Sequence, residues 1–373
     1  MPSILFTAST YSHIINFHIP YIKEFKRQGF KVDVVCGGAK MEIPDADYIY
    51  HVPFEKSMTS YKNLKAAKEI RAIIKKNDYT IISCHTSLAA FFTRLAVMGI
   101  KNRPLVVNTA HGYLFNELES KKKNLLLSSA EKFVAPVTDL LMTMNEWDTE
   151  YAKKHKLGKC VRYIKGMGLD SNKLVTPKQS ENIKKELGIS EDKFVLIYAA
   201  EFSKRKSQFV LIDALTRLPE DIVLILAGNG DLLEKCKEYA YRLGLSHRIY
   251  FVGQVKMSLY YPMADLAVST SKSEGLPFNV MEAMYYGLPV VASRVKGHTD
   301  LLENTGAGLL YNYGDFETCA EQIFRIYNNK ALKTQLGEYA KKSIEPYLLE
   351  NVLPDVMNEY KRVLPDIEVA EYT

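Results

Sequence analysis

Residues 269–283 read STSKSEGLPFNVMEA, and residues 287–292, a few positions on, read GLPVVA. The apolar run 266–269 has the length of a buried strand, and a loop of small residues follows it. Near Phe278 the spacing turns helical, and 290–292 reads as the next strand. Strand, loop, helix, strand in that order is the parallel βαβ unit, because parallel neighbours need a crossover that a helix supplies. Glu274 falls on the loop and Glu282 on the helix.

Outward from this unit the same alternation fills the chain. Strand-like runs lie at 4–8, 31–36, 80–84, 105–109 and 140–144 in the first half. After a polar, weakly periodic stretch at 171–181 they resume at 194–198, 222–227, 248–252, 266–269 and 290–292, with a last signal near 308–311. A chain of 373 residues is long for a single core. The expectation is α/β: a Rossmann-like domain at 1–170, a second at 171–350, and a C-terminal helix within 351–373 that packs on either half. The carboxyl ends of the two sheets are expected to face each other across a ligand-binding cleft.

Bulk properties exclude several classes. The opening residues 1–6, MPSILF, lack a basic leader and read as a first strand, not a signal peptide. No apolar run reaches the roughly 20 residues a bilayer span requires. The five cysteines are scattered with no Cys-x-x-Cys, against a disulfide framework or a zinc site, and a reducing cytoplasm suits them. Residues 1–170 hold 25 Lys and Arg against 16 Asp and Glu, the remainder 24 against 27. The first half should therefore face something anionic. Nucleic acid is not expected, since no recognition module accompanies the basic positions.

A glycine-containing loop opening on a helix N-terminus offers backbone N–H groups and the positive end of a dipole, suited to phosphate and hydroxyl oxygens. Two carboxylates eight positions apart can accept hydrogen bonds from two different sugar rings. With Glu274, Glu282, Ala283 and the GLPVVA run, the sequence resembles glycosyltransferase family 4, whose pattern is Glu-x7-Glu, a small residue, then Gly-x-Pro-Val-Val. The resemblance extends over nearly the whole chain, through 11–20 (YSHIINFHIP), 84–86 (CHT), 109–112 (TAHG), 144–145 (MN) and 227–230 (AGNG). It looks closest to the capsule and exopolysaccharide branch.

That resemblance implies the GT-B fold and a retaining, metal-independent transferase using a UDP-sugar. It implies that Glu274 contacts the transferred sugar, that main-chain groups at Gly275, Leu276, Pro277 and Phe278 hold its hydroxyls or the diphosphate, and that Glu282 grips the ribose. The family's phosphate clamp, Gly-Arg-Leu-x3-Lys-Gly, is matched at Lys206, whereas Glu201 stands in place of the arginine. Either Lys204 or Arg205 supplies the missing charge or Lys206 works nearly alone. The resemblance also implies that Gly253 and Val255 sit in the turn that reaches the nucleobase. His111, past the strand at 105–109, is expected beside the transferred sugar.

Other positions read less sharply. Tyr11, Ser12 and His13 occupy the first-strand loop where many family members have paired glycines. His85 reads as a histidine that pins its loop to a backbone carbonyl. The Asp-Ala-Asp at 45–47 reads as surface.

Catalysis is expected to rest on neutralising the departing diphosphate with Lys206, its basic neighbours and helix N-termini. No metal or other cofactor is called for. Within 61–76, Leu64, Ala67, Ile70 and Ile74 form one face and six basic residues lie elsewhere; LysLysLys at 121–123 precedes Leu125, Leu126, Leu127, Phe133 and Val134. Both elements suit an anionic lipid surface, giving a cytoplasmic enzyme on the inner face of the cell membrane and a polyprenyl-diphosphate-linked acceptor. The rival readings are a catalytically silent sugar-nucleotide-binding subunit and a nucleotide-sugar epimerase of the same fold.

Overall fold

A computed structural model describes residues 1–174, 183–303 and 305–364. It divides into two compact units, Met1–Gly168 with Glu350–Thr373, and Leu169–Leu349. Most of the polar stretch 171–181 and the end of the chain past 364 lie outside the described residues.

The first unit runs β1 (Ser3–Thr7), α1 (Tyr11–Phe17), α2 (Ile19–Arg27), β2 (Lys31–Cys36), β3 (Tyr48–His51), α3 (Tyr61–Lys76), β4 (Ile81–Cys84), α4 (Ser87–Val97), β5 (Leu105–Ala110), α5 (Lys121–Val134), β6 (Leu140–Thr143), α6 (Glu146–His155) and β7 (Cys160–Tyr163). Its seven strands are parallel in the order β3-β2-β1-β4-β5-β6-β7. Helices cover the strands, so β1, β4 and β6 are buried along their whole length and read as mostly apolar runs. The edge strands β3 and β7 escape the sequence reading as strands because YIYH and CVRY are short and partly exposed.

The second unit runs α7 (Ile183–Glu186), β8 (Phe194–Ala199), α8 (Gln208–Leu215), β9 (Ile222–Ala227), α9 (Leu233–Arg242), β10 (Ile249–Gly253), β11 (Leu266–Ser269), α10 (Phe278–Tyr285), β12 (Val290–Ser293), α11 (His298–Leu302), β13 (Gly308–Tyr311), α12 (Phe316–Tyr327) and α13 (Lys330–Ser343). Its six strands are parallel in the order β10-β9-β8-β11-β12-β13. The core packs Leu196, Tyr198, Leu224, Leu226 and Val268 of the sheet against Leu211, Leu215 and Ile323 of α8 and α12.

A last helix, α14 (Leu349–Arg362), belongs to the first unit. Tyr360 is buried, meets Phe25 edge-on at 5.1 Å between ring centres, and places its hydroxyl 2.5 Å from Ser83 Oγ.

Both sheets share one order, in which the chain starts centrally, winds to one edge, and returns to wind to the other. The reversal falls between β1 and β4 in one unit and between β8 and β11 in the other. Loops leaving the carboxyl ends of those strands splay to opposite faces, and that crevice is where such sheets take ligands.

One expectation needs correcting. The buried face of α3 is Asn63, Ala66, Ala67, Ile70 and Ile74, packed into the unit's core, while Leu64 is 53% exposed. Its apolar stripe is consumed in covering the sheet, and its lysines are the wet side of an ordinary crossover helix. Helix α5 differs, with only Glu131 and Val134 buried and Leu125, Leu126 and Phe133 at 69%, 71% and 57% exposure.

Candidate functional site

In the second unit, the loops after β8 and β11 meet at the reversal point. The Tyr198 hydroxyl donates to the Lys206 carbonyl (2.9 Å), Thr270 Oγ1 donates to the carbonyls of Lys206 and Ser207 (2.9 Å each), and the Lys272 amide donates to Arg205 O (2.7 Å). Ser207 holds a left-handed φ of 51°, which turns the chain sharply into α8. The stretch 205–207 is thus held by its backbone carbonyls, which leaves the Arg205 and Lys206 side chains out of that scaffold.

A second clamp comes from the turn after β9. Gly228 has φ +132°, and a Cβ there would lie 2.1 Å from the Ala200 carbonyl oxygen. Only glycine permits that approach. Its amide donates to Gly253 O (2.7 Å), which ties the end of β10 to the same turn. Gly253 therefore sits one strand away from the clamp, with Val255 half-buried two residues on.

On this frame Lys206 Nζ donates to Glu274 Oε1 at 2.5 Å, and Arg205 donates to Glu274 Oε2 at 3.2 Å and to Ser273 O at 3.1 Å. Burial pushes the Glu274 carboxyl up, but the Lys206 and Arg205 charges outweigh it and hold the pKa at about 2. Glu274 is thus an anion fixed by two cations. Lys204 and Glu201 are exposed. Of the two neighbours weighed for the missing arginine's charge, Arg205 is the one the structure brings to Glu274.

His298 lies against this group and escaped the sequence reading. It is fully buried, its Nδ1 is 2.8 Å from Ser293 O, and burial lowers its pKa to about 4. Gly297, at φ +83°, packs so tightly that a Cβ would sit 2.6 Å from Gly275 O. No motif marked His298, because its place depends on β12 lying beside β11.

Helix α10 starts at Phe278 with Pro277 as cap and no side-chain hydrogen bond at that end. Gly275, Leu276 and Pro277 are buried. Pro277 has no N–H, so the amide donors of this stretch are those of Gly275, Leu276 and Phe278. One turn on, Glu282 accepts a hydrogen bond from the buried Tyr261 hydroxyl at 3.2 Å, which also reaches Asn279 O at 3.1 Å. Burial raises the Glu282 carboxyl to about 7, against the lowering effect of Tyr261. Tyr261 also escaped the sequence reading, since it sits in a short turn before β11 with no periodicity to mark it.

In the first unit, the loops after β1, β4 and β5 gather histidines. Thr10 caps α1 by accepting from the His13 amide, and the Ser9 amide donates to Thr86 Oγ1 (3.0 Å). Tyr11 is buried with its hydroxyl 3.4 Å from His51 Nδ1, whereas Ser12 is exposed. His13 Nε2 lies 3.4 Å from His111 Nε2, and His111 Nε2 lies 3.4 Å from His85 Nδ1. His85 Nε2 pairs with Ser83 Oγ at 2.8 Å, so it is held by a side chain and not by a backbone carbonyl. Burial drives His13 to about 4 and His111 and His85 well below the ordinary imidazole value, so all are neutral near pH 7. The loop carrying His111 is anchored by Asp148, which accepts from the Tyr113 amide at 3.0 Å.

His18, between α1 and α2, was passed over in the sequence and joins this cluster, with its ring centre 3.7 Å from that of His85. The Asp-Ala-Asp is structural, since Asp47 accepts from the Val32 amide at 2.7 Å and pairs with Lys26.

Each unit is a Rossmann-like parallel sheet with polar groups at its reversal point, and the chain matches known families along these same two units. Residues 3–145 match the family described as Glycosyl transferase 4-like and 179–343 the family Glycosyl transferases group 1. The chain is 31% identical over 348 residues to the putative glycosyltransferase EpsD of Bacillus subtilis (strain 168), covering 91% of each. It is 24% identical over 336 residues to UDP-Gal:alpha-D-GlcNAc-diphosphoundecaprenol alpha-1,3-galactosyltransferase of Escherichia coli, covering 83% of this chain and 84% of that one. Among solved structures, Anabaena HepE in complex with UDP and glucose superposes with a TM-score of 0.81 at 20% identity, over 97% of this chain and 100% of that one.

The chain belongs to glycosyltransferase family 4 and has the GT-B fold. It is a glycosyltransferase in class, and among its described residues no helix is long and apolar enough to cross a membrane.

Proposed function

We propose that this chain transfers a hexosyl or N-acetylhexosaminyl group from a UDP-sugar, with retention, to a polyprenyl-diphosphate-linked saccharide in capsular or exopolysaccharide assembly. The observation that carries the reading is the Lys206, Arg205 and Glu274 group at the β8/β11 reversal, where two cations flank one buried carboxylate. The Escherichia coli relative named for a diphosphoundecaprenol-linked acceptor supports the substrate class.

In this reading the diphosphate leaves from the anomeric carbon while Lys206, Arg205 and the N-terminus of α10 take up its developing charge. The acceptor hydroxyl attacks from the same face and passes its proton to a donor phosphate oxygen. Glu274 takes hydroxyl hydrogen bonds from the transferred sugar, and Glu282 those of the ribose. The lysine and arginine supply the charge that a metal supplies elsewhere, so the donor needs none. His111 faces the transferred sugar, and the loop carrying Tyr11, Ser12 and His13 faces the acceptor. Gly253 and Val255 serve the base.

Helix α5 is the element that favours a membrane surface. Leu125, Leu126 and Phe133 are exposed beside Lys121, Lys122 and Lys123, in the half of the chain with the basic excess. In this reading the enzyme works peripherally on the cytoplasmic face of the cell membrane.

The test is to supply purified protein with UDP- and GDP-sugars, with and without polyprenyl-linked saccharide extract, beside Glu274→Ala. Release of UDP that needs the extract and is lost in the variant is expected. Measurable UDP binding without any release would instead identify a silent subunit, and interconversion of donor sugars without acceptor would identify an epimerase.

A further inference from the structure

We propose that His13, His18 and His111 form a binding site for one divalent transition metal of the zinc class, with a coordination position left open. One ring nitrogen from each of the three lies within 4.8 Å of the others. Nothing in the glycosyl-transfer reading calls for such a site.

The spacing favours ligation over hydrogen bonding. His13 Nε2 and His111 Nε2 are 3.4 Å apart. Two nitrogens bound tetrahedrally at about 2.0–2.1 Å from zinc stand about 3.3–3.4 Å apart. A nitrogen-donor hydrogen bond is shorter, at about 2.9–3.0 Å. A relay running His13, His111, His85, Ser83, Tyr360 would also use these contacts, but it would ask His111 Nε2 to serve two imidazoles at once.

His18 decides between them. It is 0% exposed, and neither of its ring nitrogens has a hydrogen-bond partner among the described residues. Leaving a buried polar group unsatisfied is unfavourable, and a relay gives His18 no role. A metal bound by one of its nitrogens does.

The surroundings suit the class of ion. The three donors are all imidazoles, which favour zinc, cobalt, nickel or copper over magnesium or calcium. His85 is fully buried, its ring centre 3.7 Å from that of His18 in a tilted contact, and is pinned by Ser83. His13 and His111 are half-buried, which leaves a path from solvent. Because His111 is also the group we assign beside the transferred sugar, metal there would withdraw it from transfer. That consequence rests on the proposed function, whereas the site itself does not.

The experiment uses untagged full-length protein, stripped with chelator and titrated with Co2+ without sugar nucleotide, so its outcome is independent of transferase activity. One cobalt per chain with the intense visible bands of four- or five-coordinate cobalt, displaced by Zn2+, is expected. His18→Gln and His13→Ala each remove a ligand and should each weaken binding by more than the ~10–100-fold that losing an outer-shell partner costs. His247→Ala, an exposed histidine in the other unit, should not. If buried His18→Gln fails to fold, half-exposed His13→Ala carries the test, with its circular dichroism matched to the parent. Equal titrations for the parent and His13→Ala, or only the weak bands of octahedral cobalt, would overturn the proposal.

Discussion

Lys206 Nζ stands 2.5 Å from Glu274 Oε1, and the two side chains are only 12% and 6% exposed. Arg205 reaches the same carboxylate from a position 45% exposed. A cation excluded from water acts on developing charge far more strongly than one in solvent. Lys206→Met should therefore lower the rate of sugar transfer by ~10²–10³-fold, and Arg205→Ala by roughly tenfold. Steady-state release of nucleoside diphosphate measures both. Equal losses would mean that the buried lysine is not the principal cation.

The same pair predicts an acid dependence. The Glu274 carboxyl is held at about 2 in the fold, below its ordinary value of 4.5, so its ion pairing contributes stability above about 4.5 that is lost as pH falls through about 2. Glu274→Gln should be less stable than the parent at neutral pH, by about 3–5 kcal/mol given the charges left behind, and the gap should narrow in acid. Urea melts at a series of pH values report it. A gap of constant size would show that the carboxylate's charge is not what the fold uses.

Glu282 moves the other way. Burial raises it to about 7, so its contribution to folding is complete below about 4.5 and is lost as pH rises through about 7. If its ionised form grips the ribose, uridine should bind more tightly as pH rises across that range, and Glu282→Gln should bind with a flat profile. Tyr261→Phe removes the hydroxyl that favours the carboxylate, so it should shift the midpoint upward. Calorimetry with uridine, which has no titrating phosphate, separates these outcomes. A midpoint unmoved in Tyr261→Phe would break the link between the two residues.

Much of this site could be read from the sequence because one stretch carries it. Glu274 and Glu282 are set by a strand, a loop and a helix that follow each other in the chain, so local periodicity was enough. Lys206 was legible through its match to the family's clamp pattern after the first strand of the second unit. Tyr261, His298 and His18 were not, since each gains its meaning from a neighbour far away in sequence, such as β12 lying beside β11 or the loop after β5 reaching α1. The edge strands β3 and β7 were missed for a simpler reason: a sheet edge asks little of its residues, and short polar strands satisfy it. The basic helix α3 misled because a crossover helix and a membrane-surface helix share a pattern until the packing partner is known.

Gly228→Ala tests the frame beneath the clamp. A Cβ at that position meets the Ala200 carbonyl oxygen at 2.1 Å and adopts φ +132°, so backbone must shift. The loss of stability should be about 2–4 kcal/mol, combining clash and backbone strain. Because Ala200 leads directly to Lys206, the affinity for nucleoside diphosphate should fall as well. Thermal melts and binding isotherms on the same sample decide it. A variant as stable as the parent would mean that the two turns are not packed as described.

Helix α5 provides the last test. Leu125, Leu126 and Phe133 are far more exposed than apolar residues of that size ordinarily are, and three lysines open the same helix. Burial of apolar side chains at a bilayer interface and attraction of lysines to anionic headgroups act together, so each change should weaken binding on its own. Leu125→Ser with Leu126→Ser should reduce co-sedimentation with phosphatidylglycerol vesicles several-fold at any salt concentration. Replacing Lys121, Lys122 and Lys123 by glutamine should weaken it chiefly at low salt, where screening is small. The same lysine-to-glutamine changes at Lys65, Lys68 and Lys75 of α3 should matter less, because that helix has spent its apolar face on the core. Should the α3 and α5 variants lose vesicle binding equally, general basicity and not α5 would be the anchor.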